Sequence, residues 1–439
     1  NEKAIEQLAP PAVVVIPMSM HFGAPCTPLV KAGDHVKVGQ KIGEFHGLGA
    51  PIHASVSGTV KAVEPRPYSM GGNITSVVIE NDMQDEVSEE VQAPADPNAL
   101  SVEEMVEIVK NAGIVGMGGA TFPTHVKITS GIGKVNTVII NGAECEPYIT
   151  GDHRTMLERP EEIIGGAKFL AKMFGVDKVV IGVEDNKRNG IDAMNKVIAE
   201  QKAPVVVEPL RCRYPQGGEK QLCQAITGRQ VPPGGLPADI GCAVFNINTT
   251  CAIYRALTTG MPVVRKIVTV SGSGVVEPKN LECPIGTPVS SLLDACGGLK
   301  DGTYKLIAGG PMMGMAQYTA DISVAKGTGA ILAFCENEEK TVENPQCIRC
   351  GKCVSVCPMH LEPLFMYQYA SKGMVEELND AHIMDCMECG ACSYICPARM
   401  HLTHMFKTGK QLVKDKAAAD RAAAEAKKKA EEAKEAAAK

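Results

Sequence analysis

Two cysteine runs of identical spacing dominate the last quarter of the chain. Cys347, Cys350, Cys353 and Cys357-Pro358 read C-x2-C-x2-C-x3-C-P, and Cys386, Cys389, Cys392 and Cys396-Pro397 repeat it. Such short spacing lets three thiolates of each run converge on one multi-iron centre. Structural zinc more often uses two separated cysteine pairs or mixed histidine ligands. Two complete four-cysteine runs, each closed by proline, fit zinc poorly. The chain has 439 residues and 17 cysteines, and its start, "NEKAIEQLAP", has no basic segment followed by an apolar one. It also lacks an initiator Met, as if trimmed there. A long chain without a secretion signal points to metal ligation in a reducing compartment rather than a disulfide scaffold. The cysteines outside the runs are expected to be small buried hydrophobes.

The runs resemble those of bacterial ferredoxins with paired [4Fe–4S] clusters, in which the fourth cysteine of each run serves the other cluster. The resemblance implies Cys347, Cys350, Cys353 and Cys396 on one cluster, and Cys386, Cys389, Cys392 and Cys357 on the other. Electrons would then pass one at a time near the C-terminal end.

Composition narrows the rest. A net charge of −6 argues against a nucleic-acid surface. The absence of Trp and only 4% aromatics argue against base stacking. No run of about 20 apolar residues exists, so no membrane-spanning helix is expected.

Along the chain, multidomain α/β and α+β architecture is predicted. "PLVKAGDHVKVGQKIGE" and "PIHASVSGTVKAV" alternate Val and Ile with polar residues between turn signals, and read as halves of a small β-sandwich. They resemble biotinyl/lipoyl barrel-sandwich domains. The hairpin between them, "FHGLGA" (45–50), has no attachment Lys, so a docking or structural role is expected. The acidic stretch 82–98 reads as a linker. "SVEEMVEIVK" offers a capping box between Ser101 and Glu104. Hydrophobic strands at 135–141, 178–183 and 205–210 alternate with helices near 158–174 and 187–201, implying a mostly parallel sheet. Residues 265–334 return to strand and turn around one helix, "PVSSLLDACGG", and suit a β-grasp module. The expected division is 1–95, 96–264, 265–335, 336–410, and an Ala/Lys-rich tail, 411–439. The tail favours helix but has no apolar stripe, so a solvated helix is predicted.

"GMGGATFPTHVK" (116–127) is rich in glycine, as a phosphate-cradling loop would be. An ordinary dinucleotide-binding turn needs a strand before the glycines and a helix after them. Here a helix precedes and a strand follows, so that reading fails on context. "NGAECEPYITGDHR" (141–154) begins where a sheet strand should end, and "YPQGGEKQL" (214–222) and "NINTT" (246–250) add glycines, amides and hydroxyls. Together, ahead of an iron–sulfur module, they suggest a site for an organic redox cofactor.

G-x-G-G-A-x-F-P-T-x-x-K, N-x-x-E-x-E-P and Y-x-x-G-x-E-x-x-L resemble the flavin-bearing, NADH-oxidising subunit of respiratory complex I. The whole order, over residues 10 to 410, resembles more closely the RnfC family, peripheral subunits of Rnf ferredoxin:NAD oxidoreductases. The resemblance implies an N-terminal barrel-sandwich hybrid, a Rossmann-like FMN domain, an SLBB-type β-grasp and a dicluster ferredoxin domain. It places Gly116, Gly118, Gly119, Lys127, Asn141, Glu144, Tyr214, Gly217, Asn246 and Thr250 around FMN, with Lys127 near its phosphate. Phe122, Glu146 and Glu219 match positions that face the nicotinamide nucleotide. Ala143 and Cys145 replace an Asp and a Ser of the complex I pattern. Val231, Gly234 and Ser130 replace a Lys and two aromatics there, so NAD is expected to lack an adenine sandwich.

The implied activity is hydride exchange between NAD(H) and FMN, with single-electron transfer to two [4Fe–4S] clusters. The implied partners are the other Rnf subunits, with ferredoxin served indirectly, and the implied place is the cytoplasmic side of a bacterial membrane. A corrinoid (cobalamin) reductase of propanediol-utilising microcompartments shares the domain order and is the alternative; "YPQGGEKQ" favours RnfC.

Overall fold

The computed structural model describes residues 3–335 and 342–437. The chain divides into two compact units, Asn1–Glu339 and Lys340–Lys439.

At the centre of the first unit is a four-stranded, all-parallel sheet. Its order is Val205–Leu210, Val179–Glu184, Thr137–Gly142, Cys242–Asn246. Val138, Ile139 and Ile140 are fully buried, as are Ile181 and Val183. Parallel strands read as apolar runs because crossover helices cover both faces of the sheet. Those helices include Pro160–Phe174, Arg188–Gln201, Glu219–Thr227 and Ile247–Thr259. Strand order runs outward in one direction from Thr137–Gly142, and then returns to place Cys242–Asn246 on its other side. Connections therefore diverge between these two strands, leaving a crevice at their carboxyl ends.

The helix before the glycine loop, Val102–Asn111, starts as predicted. Ser101 Oγ accepts from Glu104 N at 3.2 Å, and the Glu104 carboxylate accepts from Ser101 N at 2.7 Å.

Residues 13–81 form two small antiparallel sheets, of four and three strands, closed over Val14, Ile16, Ile42, Ile52, Val60 and Ile79. The stretch expected as a linker begins by packing back onto them. Val87 bridges Val38, and Lys37 pairs with Glu86 and Glu89 at 2.8 and 2.5 Å.

A six-stranded mixed sheet covers a helix at Val289–Ala295. Its order is Glu6–Gln7, Lys279–Pro284, Arg265–Ser271, Ala330–Cys335, Thr303–Ala308, Met315–Gln317. The edge strand Glu6–Gln7 comes from the start of the chain and pairs in parallel with Leu281 and Glu282. Glu282 anchors that corner, bonded to Gln7, Arg159 and Arg265.

The second unit is helical. Short turns of helix, Lys352–Ser355 and Ala391–Ile395, carry the middle of each cysteine run. Met366, Leu378, Ile383, Leu402 and Phe406 form its core. The tail continues one helix, Leu402–Ala437, buried at Phe406 and Val413 and exposed from Lys414 to Lys429. Among the described residues no helix is long and apolar enough to cross a membrane.

Candidate functional site

The crevice at the strand ends gathers the predicted residues of the α/β domain. Asn141 and Asn246 are register partners at the ends of neighbouring strands. Asn141 Nδ2 donates to Gly217 O at 2.8 Å, and its Oδ1 accepts from Ala143 N at 3.1 Å. The loops after Thr137–Gly142 and Val205–Leu210 thereby meet at one side chain. A Cβ on Gly217 would lie 2.3 Å from Ala143 O, so glycine is needed for that approach. Tyr214 is half-buried in the same loop.

The glycine loop closes the other side. Gly116 N donates to Phe122 O at 2.9 Å and Gly116 O accepts from Thr121 N at 3.1 Å, which ties off the turn. Gly118 packs directly on the Asn246 side chain, and Met117 N donates to Thr249 Oγ1 at 2.9 Å. Asn246 caps the helix Ile247–Thr259 by accepting from Asn248 N at 2.9 Å. Thr250 is fully buried, its hydroxyl donating to Asn246 O at 3.0 Å. The N-terminus of the helix Ile247–Thr259 and the glycine loop thus meet at Asn246 and Thr249, and a helix N-terminus is a favourable setting for an anion.

Lys127 donates to Glu219 Oε1 at 2.9 Å and to Val244 O at 3.0 Å. It therefore joins a residue expected beside the flavin to one expected beside the nicotinamide. Phe122 lies 6.0 Å from the exposed Phe22 of the first domain. Glu146 turns toward the mixed sheet, where its carboxylate accepts from Met312 N and Met313 N at 3.1 and 2.9 Å. Burial raises its carboxyl above the usual range.

Asp152, Asn248 and Lys187, which the sequence reading passed over, complete the site around the predicted Glu144. Glu144 accepts from Asp152 N at 2.8 Å and His153 N at 3.2 Å, at the start of the helix Gly151–Glu158. Asp152 in turn accepts from Asn246 Nδ2 at 2.7 Å and Asn248 Nδ2 at 2.5 Å. Burial, then the neighbouring Asp152 charge, raises the Glu144 carboxyl above its usual range. Asp152 is also raised by burial, against the opposing charge of Lys266. Lys187 donates to Glu144 O at 3.2 Å. Two signals for this network lay in the sequence. The Asp follows a turn-like "ITG" at a helix start, and Asn248 repeats Asn246 two residues on.

In the second unit the two runs interleave. One cavity is lined by Cys347, Cys350, Cys353 and Cys396, and another by Cys357, Cys386, Cys389 and Cys392. Each cavity thus draws three sulfurs from one run and the fourth from the other. Main-chain amides point at the sulfurs: Arg349 N to Cys347 and Leu361 N to Cys357, both at 3.3 Å, and Glu388 N to Cys386 at 3.4 Å. Four thiols, an otherwise apolar lining and N–H···S bonds suit an iron–sulfur cluster. Among the described residues no three His, Cys, Asp or Glu side chains converge as a single metal ion would require. Of the nine other cysteines, six are buried; Cys145 and Cys335 are half-buried and Cys212 is exposed.

Four family models match the chain in order. They are the RnfC barrel sandwich hybrid domain at 1–84, the Nuo51 FMN-binding domain at 109–255, the SLBB domain at 267–316 and the 4Fe-4S dicluster domain at 339–397. A relative from Acetobacterium woodii, part of its Na+-translocating ferredoxin:NAD+ oxidoreductase complex, is 46% identical over 85% of this chain and 85% of its own. The chain belongs to the RnfC family. The equivalent protein of the proton-translocating ferredoxin:NAD+ oxidoreductase complex of Clostridium ljungdahlii is 43% identical, over 87% of this chain and 83% of its own. That of the ion-translocating oxidoreductase complex of Rhodobacter capsulatus is 41% identical, over 83% and 70%. Among solved structures, an NAD+-reducing [NiFe]-hydrogenase in its H2-reduced state aligns with a TM-score of 0.51 at 19% identity. That alignment covers 67% of this chain and 60% of the hydrogenase chain, and shows a shared fold. The chain therefore carries an FMN-binding domain, at 109–255, and a 4Fe-4S dicluster domain, at 339–397.

Proposed function

We propose that this chain is the NAD(H)-reacting flavin and iron–sulfur subunit of an ion-translocating ferredoxin:NAD+ oxidoreductase. It would exchange hydride with NAD(H) and pass single electrons through two [4Fe–4S] clusters toward other subunits. The observation that carries this reading is the crevice where Asn141, Gly217, Gly118 and Asn246 meet, in a chain that also holds two four-thiol cavities. FMN, when bound, accepts two electrons as hydride and releases them singly, which neither nicotinamide nor a cubane does alone.

In this reading Gly116, Gly118 and Gly119 lie against FMN, with Lys127 toward its phosphate. Asn141, Glu144, Tyr214, Gly217, Asn246 and Thr250 complete the pocket, and Phe122, Glu146 and Glu219 face NAD(H). The protein's work there is to orient the two ligands and exclude water. Burial and the neighbouring Asp152 favour the protonated form of Glu144 beside the flavin. Cys347, Cys350, Cys353 and Cys396 would ligate one cluster, and Cys386, Cys389, Cys392 and Cys357 the other. Domain limits at about 95, 264, 335 and 410 belong to the same reading, as do docking to membrane subunits on the cytoplasmic side and indirect exchange with ferredoxin.

Anaerobic purification tests it. The chain should release FMN on extraction, show about eight irons from two cubanes, and lose flavin absorbance on adding NADH. Recovery of zinc in place of iron, or a preparation in which NADH leaves a bound flavin oxidised, would sink it.

A further inference from the structure

Among the described residues of the first unit three lysines are buried; Lys187 pairs with Glu184, and Lys266 and Lys326 do not pair with a carboxylate in this way. Lys266, on the strand Arg265–Ser271, is 4% exposed, and Lys326, in the loop before the strand Ala330–Cys335, is 0% exposed. An enclosed ammonium is costly unless its donors find partners. The partners here are main-chain carbonyls rather than carboxylates. Lys266 Nζ donates to Met117 O at 3.1 Å. Lys326 Nζ donates to Gly113 O at 2.6 Å and to Pro51 O at 2.7 Å.

The acceptors Gly113 and Met117 bracket the entry to the glycine loop. Both lysines come from the mixed-sheet domain, and Lys326 ties in the barrel-sandwich domain as well. The local sequence is shaped for this contact. Gly113 has φ +65°, and a Cβ there would lie 2.4 Å from Pro51 O and 2.6 Å from Lys326 Nζ. Any other residue would force the lysine, or the Pro51 carbonyl, away.

We propose that Lys266 and Lys326 are positioning residues for the flavin, so that the mixed-sheet domain sets the place of the loop on which FMN rests. The proposal rests on the reading of that loop as FMN-facing. It makes the β-grasp module a structural part of the flavin site rather than a spacer between flavin and clusters. Burial supports a role that responds to pH, since it lowers Lys266 to about 8 and Lys326 to about 7. The titratable groups around Lys266 are Asp152 on the helix Gly151–Glu158 and Cys283 on the neighbouring strand. Those around Lys326 are Cys26, His21 and His53 of the barrel-sandwich domain.

The test uses the full chain with its clusters, carrying K266M, K326M, K266Q or K326Q. Hydrogen exchange on the flavin-free protein reads the loop directly. Both Met variants should speed exchange at residues 113–119 while the sheet strands keep their protection, and the Gln variants, which retain a donor, should restore part of it. Fluorescence quenching on titration with FMN reads the consequence. Affinity should fall by about tenfold in the Met variants. The weakening of wild-type affinity as pH rises through about 8 should be smaller in K266M, where only Lys326 still titrates against the loop. Unchanged loop exchange, or exchange that rises equally across the whole sheet, would overturn the clamp. A loosened loop with unaltered FMN affinity would leave the clamp standing and overturn the assignment of the loop to FMN.

Discussion

The two units of this chain build their sites in opposite ways. In the second unit, each cavity takes three of its four sulfurs from within seven residues of chain, and only Cys357 and Cys396 are exchanged between runs. In the first, the crevice draws on the glycine loop, three strand ends and a lysine from another domain, spread from Met117 to Lys266. In the proposed reading, the difference follows from what each site must do. A cluster needs a fixed number of soft ligands around a compact core, which a short looped segment supplies. A flavin and a nucleotide must be held along their length and oriented, which takes amides and side chains from several elements.

Substitutions should expose the contrast. Cys353→Ser should have the largest effect on the local site. One cluster should be lost and iron should fall by about half, with FMN binding retained. If flavin were lost together with the cluster, the two sites would not be independently built.

Glu282→Gln probes the distributed unit at the corner where Gln7, Arg159 and Arg265 converge. Removing one member of a buried ion pair should cost about 3–5 kcal/mol in denaturant unfolding. Burial alone would raise this carboxyl, but the Arg159 guanidinium outweighs it and holds it at about 2. A carboxylate with a depressed folded value stabilises fully above its unfolded value. That contribution should fade as pH falls below the ordinary glutamate range toward about 2. Acid titration of wild type against Glu282→Gln should show the extra acid loss only in wild type.

Gly217→Ala should act at the crevice itself. The added methyl meets Ala143 O at 2.3 Å, so the two loops must part. Overpacking of this kind costs about 1–3 kcal/mol, and FMN retention should drop with iron content unchanged. Retained flavin with normal stability would show that this loop contact does not shape the pocket.

Ser101→Ala sets the lower limit. It removes the cap at the far end of the helix that leads into the glycine loop and should cost about 1 kcal/mol. Flavin and iron contents should stay the same, as measured on the same preparations.

Much of this was written locally. The cysteine spacing, the Ser101–Glu104 box and the strand Val205–Leu210 follow from neighbours a few residues apart, and the structure has them where the sequence implies. Asn141 and Asn246 sit at strand ends because apolar runs stop there and polar loops begin. Other features have no local signature. The edge strand Glu6–Gln7 finds its partner at Lys279–Pro284, across most of the first unit's length. The acidic stretch around Val87 reads as a linker, yet packs against Val38. Lys266 and Lys326 look like ordinary strand and loop lysines, and Asp152 like a solvated helix start, until the domains close over them. The amino-acid order by itself determined the elements, the cluster ligands on offer and the glycines that permit close approach, because those depend on period, spacing and the absence of a Cβ. Only the tertiary structure decided which carbonyls the buried lysines meet and which carboxylates crowd together. Burial and long-range contact are properties of packed layers, and no short window of sequence contains both partners.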